Sequence, residues 1–286
     1  MEMEREIRDF LMSRRARISP EEAGLPHIDD RRRVPGLRRG EVAVLAGVSV
    51  EYYTRLERGR LGGASPSVLD AIARVLQLDE DERAHLFDLA RSVGPREPRA
   101  TRSHSRKETA LTDSVQQVID SMSVPAIVQN GRLDLLAANA VGRALYSELY
   151  SSAPTLPPNF ARFAFLDERA GSFYPDLDAS RELLVSVLRS SAGRDPLDAG
   201  LTALIDELSA RSRDFSTRWA KHNVRRHSRG RKVIDHPEVG RLDLEYNDFA
   251  LPGDPDLSIT TYTATPGSDS ADGLCLLAAR TGVTLP

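Results

Sequence analysis

Glu51, Thr54, Arg55 and Arg58 stand at i, i+3, i+4 and i+7, the spacing that brings side chains onto one face of a helix. One acid, one hydroxyl and two guanidinium groups in that arrangement suit a nucleic acid. Arginine reaches guanine O6 and N7 or a phosphate, and a carboxylate accepts from cytosine N4. Spacing alone does not separate the base-reading role of Arg55 from a phosphate contact. Glu51 is equally a cytosine acceptor or a favourable charge in the first helical turn. Tyr52, at the edge of the face, either touches a phosphate or packs. The plain alternative for the whole set is a helical hairpin with a solvated charged face.

Such a face needs a helix to carry it, and the neighbouring residues supply one. Ser49 is suited to cap a helix by accepting from an unpaired amide in its first turn. Val48 and Tyr53 fall at the two positions of a hydrophobic staple. Gly47 sits where the preceding helix must end, in the left-handed conformation glycine tolerates. Val42, Leu45 and Ala46 on the first helix face Tyr53 and Leu56 on the second. Residues 34–60 therefore read as a helix-turn-helix whose second helix presents Ser49, Val50, Glu51, Tyr52, Thr54, Arg55 and Arg58 to double-stranded DNA. Arg38 and Arg39, opening the first helix, are expected phosphate contacts. The triplet Arg31, Arg32 and Arg33 is either a solvated loop or an arm along the backbone or into the minor groove.

The net charge of −3 would suit a DNA binder poorly were charge evenly spread. It is not: residues 31–60 hold eight Arg against three Glu, and screening confines each patch's field to about 8–10 Å in physiological salt. No run approaches the roughly 20 apolar residues that cross a bilayer. The opening MEMEREIRDF lacks the apolar core of a signal peptide. A cytoplasmic protein without a membrane partner is the expectation. A single cysteine, Cys275, excludes an intramolecular disulfide and a multi-cysteine metal site. His222, His227 and His236 are scattered rather than paired at i, i+4, so no metal is expected. Glycine-rich phosphate loops, serine nucleophile elbows and zinc-helix motifs are absent from the sequence. The chain reads as a non-enzyme with no catalytic residue and no cofactor.

Around the motif, periodicity predicts a helix over residues 4–15, another opened by Ser65-Pro66, and a fifth opened by Asp79-x-x-Glu82 and stopped at Gly94-Pro95. These make a compact all-α five-helix domain over residues 1–94. Residues 95–112, rich in proline, serine and basic side chains, read as a linker. Residues 113–286 read as α+β: a helix, two strands joined at Asn130-Gly131, several helices over 139–220, three strands over 231–264 and a closing helix. Alternation and helical spacing turn Phe163, Phe173, Trp219, Tyr246 and Tyr262 inward, as core or as the lining of a pocket.

Two sets of residues also resemble the MmyB-like regulators of actinobacteria. One is RRRVPGLRRGEVAVLAGVSVEYYTRLERGR. The other is His236-Pro-Glu-Val-Gly240, Leu251-Pro-Gly-Asp254 and Tyr262-Thr-Ala-Thr-Pro-Gly267. The resemblance spans nearly the whole chain. It implies a lambda-repressor-like, Xre-type helix-turn-helix domain followed by a PAS-like ligand-binding domain built on an antiparallel sheet. It also implies a small apolar effector, such as a fatty acid, and a homodimer. Gly40 stands where the family usually has Glu, and Ala138 where an aromatic residue is common. A second domain that only dimerises or meets a protein partner is the alternative.

Overall fold

A computed structural model describes residues 2–25, 36–94, 113–153, 156–224, 229–251 and 254–282. The basic triplet at 31–33, the linker at 95–112 and His227 lie outside them. The chain divides into two units. One gathers residues 1–103 with 189–198 and 219–225; the other holds 104–188, 199–218 and 226–286.

In the first unit, α1 (Glu2–Arg17), α2 (Arg39–Leu45), α3 (Val50–Glu57), α4 (Pro66–Val75) and α5 (Glu80–Val93) form where caps and periodicity place them. Ile7, Phe10 and Leu11 of α1, Val42 and Ala43 of α2, and Tyr53 and Leu56 of α3 enter one core with Leu69, Ile72, Leu86 and Leu89. Ser65 caps α4 ahead of Pro66, and Asp79 and Glu82 form a reciprocal capping box on α5. Gly47 takes the predicted left-handed conformation, with φ 68°. Gly59, at φ 96°, lets α3 end against α1: a Cβ there would lie 2.4 Å from the Glu4 Cα.

Glu57 is the buried charge that ties these helices. Its carboxylate accepts from Arg15 Nε and Nη2 at 2.9 and 3.0 Å, and from Arg39 Nε at 2.9 Å. Burial opposes the charge on Arg15, but Glu57 outweighs it, so the guanidinium is held above its usual pKa. Arg14, also buried, pairs with Glu82 at 2.7 Å. There burial wins, and the pKa falls to about 10. The basic end of α1 is thus internal, where its sequence suggests a solvated complement to the helix dipole. Trp219 belongs to this unit, with the Arg189 guanidinium stacked 3.9 Å from its ring centroid. Arg189 and His222 both engage the Glu6 carboxylate. Burial opposes ionisation of Glu6, yet these two partners draw its pKa down to about 2.

The second unit contains α6 (Asp113–Asp120), β1 (Ala126–Asn130), β2 (Leu135–Ala138), α7 (Ala140–Leu145), α8 (Ser147–Ser152), α9 (Phe160–Leu166), α10 (Ala170–Phe173), α11 (Leu177–Arg194, whose last turns count with the first unit), α12 (Ala199–Arg211), α13 (Arg213–Trp219, ending likewise), β3 (Arg229–His236), β4 (Gly240–Leu251), β5 (Asp254–Thr263) and α14 (Asp269–Arg280). The five strands form one antiparallel sheet in the order β2-β1-β5-β4-β3. α6 covers one face, packing Ile119 on Ala126, Val128, Ala137 and Ile259. The other face meets α7 to α10. Asn139 caps α7, and the same Oδ1 accepts from the Ala126 amide of β1, fixing helix to sheet.

One turn differs from its sequence signal. Asn130-Gly131 suggests a two-residue hairpin, but β1 and β2 are separated by residues 131–134. The left-handed residue is Leu133, at φ 65°. The Asn130 side chain accepts from the amides of Arg132 and Asp134, and this local closure outcompetes the tighter turn. The short α10 also has no clear signal in the sequence, since four residues are too few to show a period.

Candidate functional sites

The α3 face assembles from its cap outward. Ser49 Oγ accepts from the Tyr52 amide at 3.0 Å, so its oxygen serves the helix start. Tyr53, Leu56 and Glu57 turn inward, which leaves Glu51, Arg55 and Arg58 exposed and Thr54 half-buried. Val50, an aliphatic residue at the helix start, is 43% exposed. Val50, Glu51, Thr54, Arg55 and Arg58 line one shallow surface depression with Glu4 and Arg60. Tyr52 is half-buried, and the Arg55 guanidinium lies 4.8 Å from its ring centroid. That stacking holds the cation over the face without neutralising it. Arg38 is exposed, its amide donating to Glu41 Oε2 at 2.7 Å to close the start of α2. Arg39 is exposed too, but its guanidinium is engaged by Glu57.

A second site forms on the sheet face that meets α7 to α10. Strand alternation and register put Lys232, Ile234 and His236 of β3, Leu242, Leu244 and Tyr246 of β4, and Thr260 and Tyr262 of β5 on that face. Tyr146, Phe160, Phe163, Phe173 and Tyr174 close over it from the helices. Tyr146 meets Phe160 edge-on at 5.1 Å and Tyr262 at 5.7 Å; Phe163 meets Phe173 at 5.7 Å and Tyr174 at 5.9 Å. Four of the five aromatics expected inward therefore come together here, namely Phe163, Phe173, Tyr246 and Tyr262. Trp219 does not, because it packs with Arg189 in the first unit. Ala138 lies on the same face of β2, paired with Ile127.

Polar groups punctuate this layer. The Tyr146 and Tyr262 hydroxyls share a hydrogen bond of 2.8 Å. Burial raises the pKa of both phenols, so they stay protonated. Gln129 Nε2 donates to Thr260 Oγ1 at 3.2 Å, and Thr260 donates on to Asp248 at 2.6 Å. His236 is buried, with Nε2 bonded to the Ala144 carbonyl and Nδ1 accepting from the Glu238 amide. Burial lowers its pKa, and those two bonds suit the neutral ring. The Lys232 ammonium sits 5.3–5.5 Å from the ring centroids of Phe160, Tyr174 and Tyr146. Burial alone brings its pKa down from 10.5 to about 8.

Lys232, Tyr146, Phe160 and Tyr174 are missed by sequence reasoning. The signal for Lys232 was there: it shares strand parity with Ile234 and His236, so alternation points it inward. Tyr146, Phe160 and Tyr174 sit at or beside short helices whose inward face takes more than one turn to declare itself. Among the described residues no cluster of three His, Cys, Asp or Glu could hold a metal ion, and no helix is long and apolar enough to cross a membrane.

Known families match both regions. A family described as the MmyB-like transcription regulator ligand binding domain matches residues 111–277, more than half of the chain, and a helix-turn-helix domain family matches residues 12–86. No curated individual protein matches the chain. The first match covers the sheet and its aromatic layer; the second covers α3 and its charged face. The chain belongs to the MmyB-like transcription regulators, pairing a helix-turn-helix DNA-binding domain with that family's ligand-binding domain.

Proposed function

We propose that this chain is a cytoplasmic, homodimeric transcription factor whose second domain takes up a small apolar effector and thereby changes the fit of the first to DNA. The proposed domain layout is residues 1–94 for DNA, 95–112 as linker and 113–286 for effector and dimer. The observation that carries the DNA reading is the α3 face: Val50, Glu51, Thr54, Arg55 and Arg58 together on one surface, with the inward side of the helix fully spent on the core. The aromatic layer around Tyr146 and Tyr262 supports an apolar effector, since ligand sites are lined mostly by such side chains with a few placed polar groups. One helix-turn-helix reads too few base pairs for genomic specificity, so a dimer on two half-sites about 34–36 Å apart is expected. The effector acts only through a difference in affinity between two states of the dimer.

Selection of binding sites from random DNA by the purified full chain tests this reading. The expected product is a pair of related half-sites one helical turn apart. Recovery of single half-sites, or of no consensus, would contradict the dimeric mode. Native mass spectrometry of the same preparation is expected to show a dimer.

A further inference from the structure

We propose that Lys232 is the anchor for an acidic headgroup, and that the effector of the second domain is therefore a carboxylic acid with an apolar body. This rests on the apolar-effector reading above and adds to it a charge, a residue and a position. The argument begins with what surrounds the ammonium. Three aromatic rings lie 5.3–5.5 Å away, and among the described residues no carboxylate pairs with it. Each ring face contributes of order 0.5–2 kcal/mol to a cation, whereas withdrawing an ion from water costs several kcal/mol. The rings are themselves packed edge to face and carry no formal charge. The lowered pKa of Lys232 is the sign that the balance is unfavourable to the charged form, and burial is its cause.

A second donor in the same layer is also left over. Tyr146 and Tyr262 have two hydroxyl hydrogens between them, and their mutual bond uses one. Among the described residues the other has no acceptor, although both side chains are buried. Buried donors are ordinarily satisfied. Lys232 and this tyrosine pair meet around one ring, that of Tyr146. An ammonium and a phenolic O–H, both lacking an acceptor, are complementary to the two oxygens of a carboxylate. An alcohol could take the phenol's hydrogen but could not balance the charge. A cationic ligand would be repelled. The aromatic side chains that leave Lys232 without a counter-ion are also the surface on which an apolar body would lie.

Calorimetric titration of the full chain with decanoate and with 1-decanol separates the ideas. At pH 7, decanoate is expected to bind at least tenfold more tightly than decanol. That advantage is expected to shrink at pH 9.5, where free Lys232 is largely neutral. Lys232→Met keeps length and apolar bulk. It is expected to bind decanol as before, to lose at least tenfold in decanoate affinity and to melt at a higher temperature without ligand. Lys232→Arg is expected to restore part of the decanoate preference, which a purely structural lysine would not. Equal affinity of the wild type for the two probes, or an unchanged decanoate affinity in Lys232→Met, would overturn the anchor while leaving the apolar-effector reading intact. Failure of the wild type to bind either probe would overturn both.

Discussion

Arg14 and Arg15 in the first unit and Lys232 in the second are cations drawn away from bulk water, but they meet different neighbours. The two arginines find carboxylates, Glu82 and Glu57, across helix contacts. Lys232 finds ring faces. A guanidinium fixed by a carboxylate is structural mortar, complete within the fold. An ammonium among rings is incomplete, and its unmet charge is available to something that arrives later. On the outer face of α3 the same distinction recurs. Arg39 is bound to Glu57, whereas Arg55 rests on Tyr52 and keeps its charge for a partner.

The comparison breaks most sharply at Glu57. Glu57→Gln should destabilise the first unit by about 3 kcal/mol, because removing one member leaves a buried arginine uncompensated. Thermal unfolding checks this. A loss below about 1 kcal/mol, the ceiling for surface pairs, would make the cluster ordinary surface pairing. Lys232→Met should act in the opposite direction, raising ligand-free stability by about 2 kcal/mol at pH 7. Below about pH 8 the folded wild type must carry a desolvated charge. Between about 8 and 10.5 the folded chain has shed that proton while the unfolded chain keeps it, so wild-type stability rises with pH. The gap between variant and wild type should therefore close through that window in a pH series of denaturant melts. A gap that stays constant would contradict the burial cost.

Arg55→Ala should weaken binding to the selected DNA by ~1–3 kcal/mol if the guanidinium reads guanine. Equal loss on random DNA would make it a phosphate contact. The smallest effect belongs to Gly40, inside α2, where an added Cβ meets nothing within 4 Å. Gly40→Ala should stabilise the first unit by about 0.5–1 kcal/mol and leave DNA binding unchanged. Destabilisation would mean that the helix start needs glycine for a reason other than space.

The first unit was largely legible in the sequence because its signals are local. Ser49, Gly47, Pro66 and the Asp79–Glu82 box each act within one turn, and the helices begin and end within a few residues of them. The second unit was legible as strands and helices, but its interior was only partly so. Tyr246 and Tyr262 declared their direction by alternation. Trp219 looked like their companion and packs with Arg189 instead, since a short amphipathic segment does not reveal which core it joins. Glu57 read as one charge among several near the motif; only the convergence of α1 and α2 on it shows its use. Lys232 was hidden for the converse reason, that a lysine in a strand is ordinarily read as solvent-facing. The α3 face could be read because it is a property of one helix. The Lys232 site is assembled from β3 and three helix-borne rings far apart in sequence.

The central claim is that the aromatic layer and the α3 face are linked through ligand. It is tested most directly by fluorescence anisotropy of the full chain on its selected two-half-site DNA, at fixed salt, with and without saturating decanoate. Linkage requires that any change in DNA affinity on adding ligand equal the change in ligand affinity on adding DNA. The account predicts a shift of at least fivefold in apparent Kd, matched in the reverse titration and absent in Lys232→Met. An apparent Kd unchanged by saturating decanoate, with decanoate shown to be bound, would contradict it.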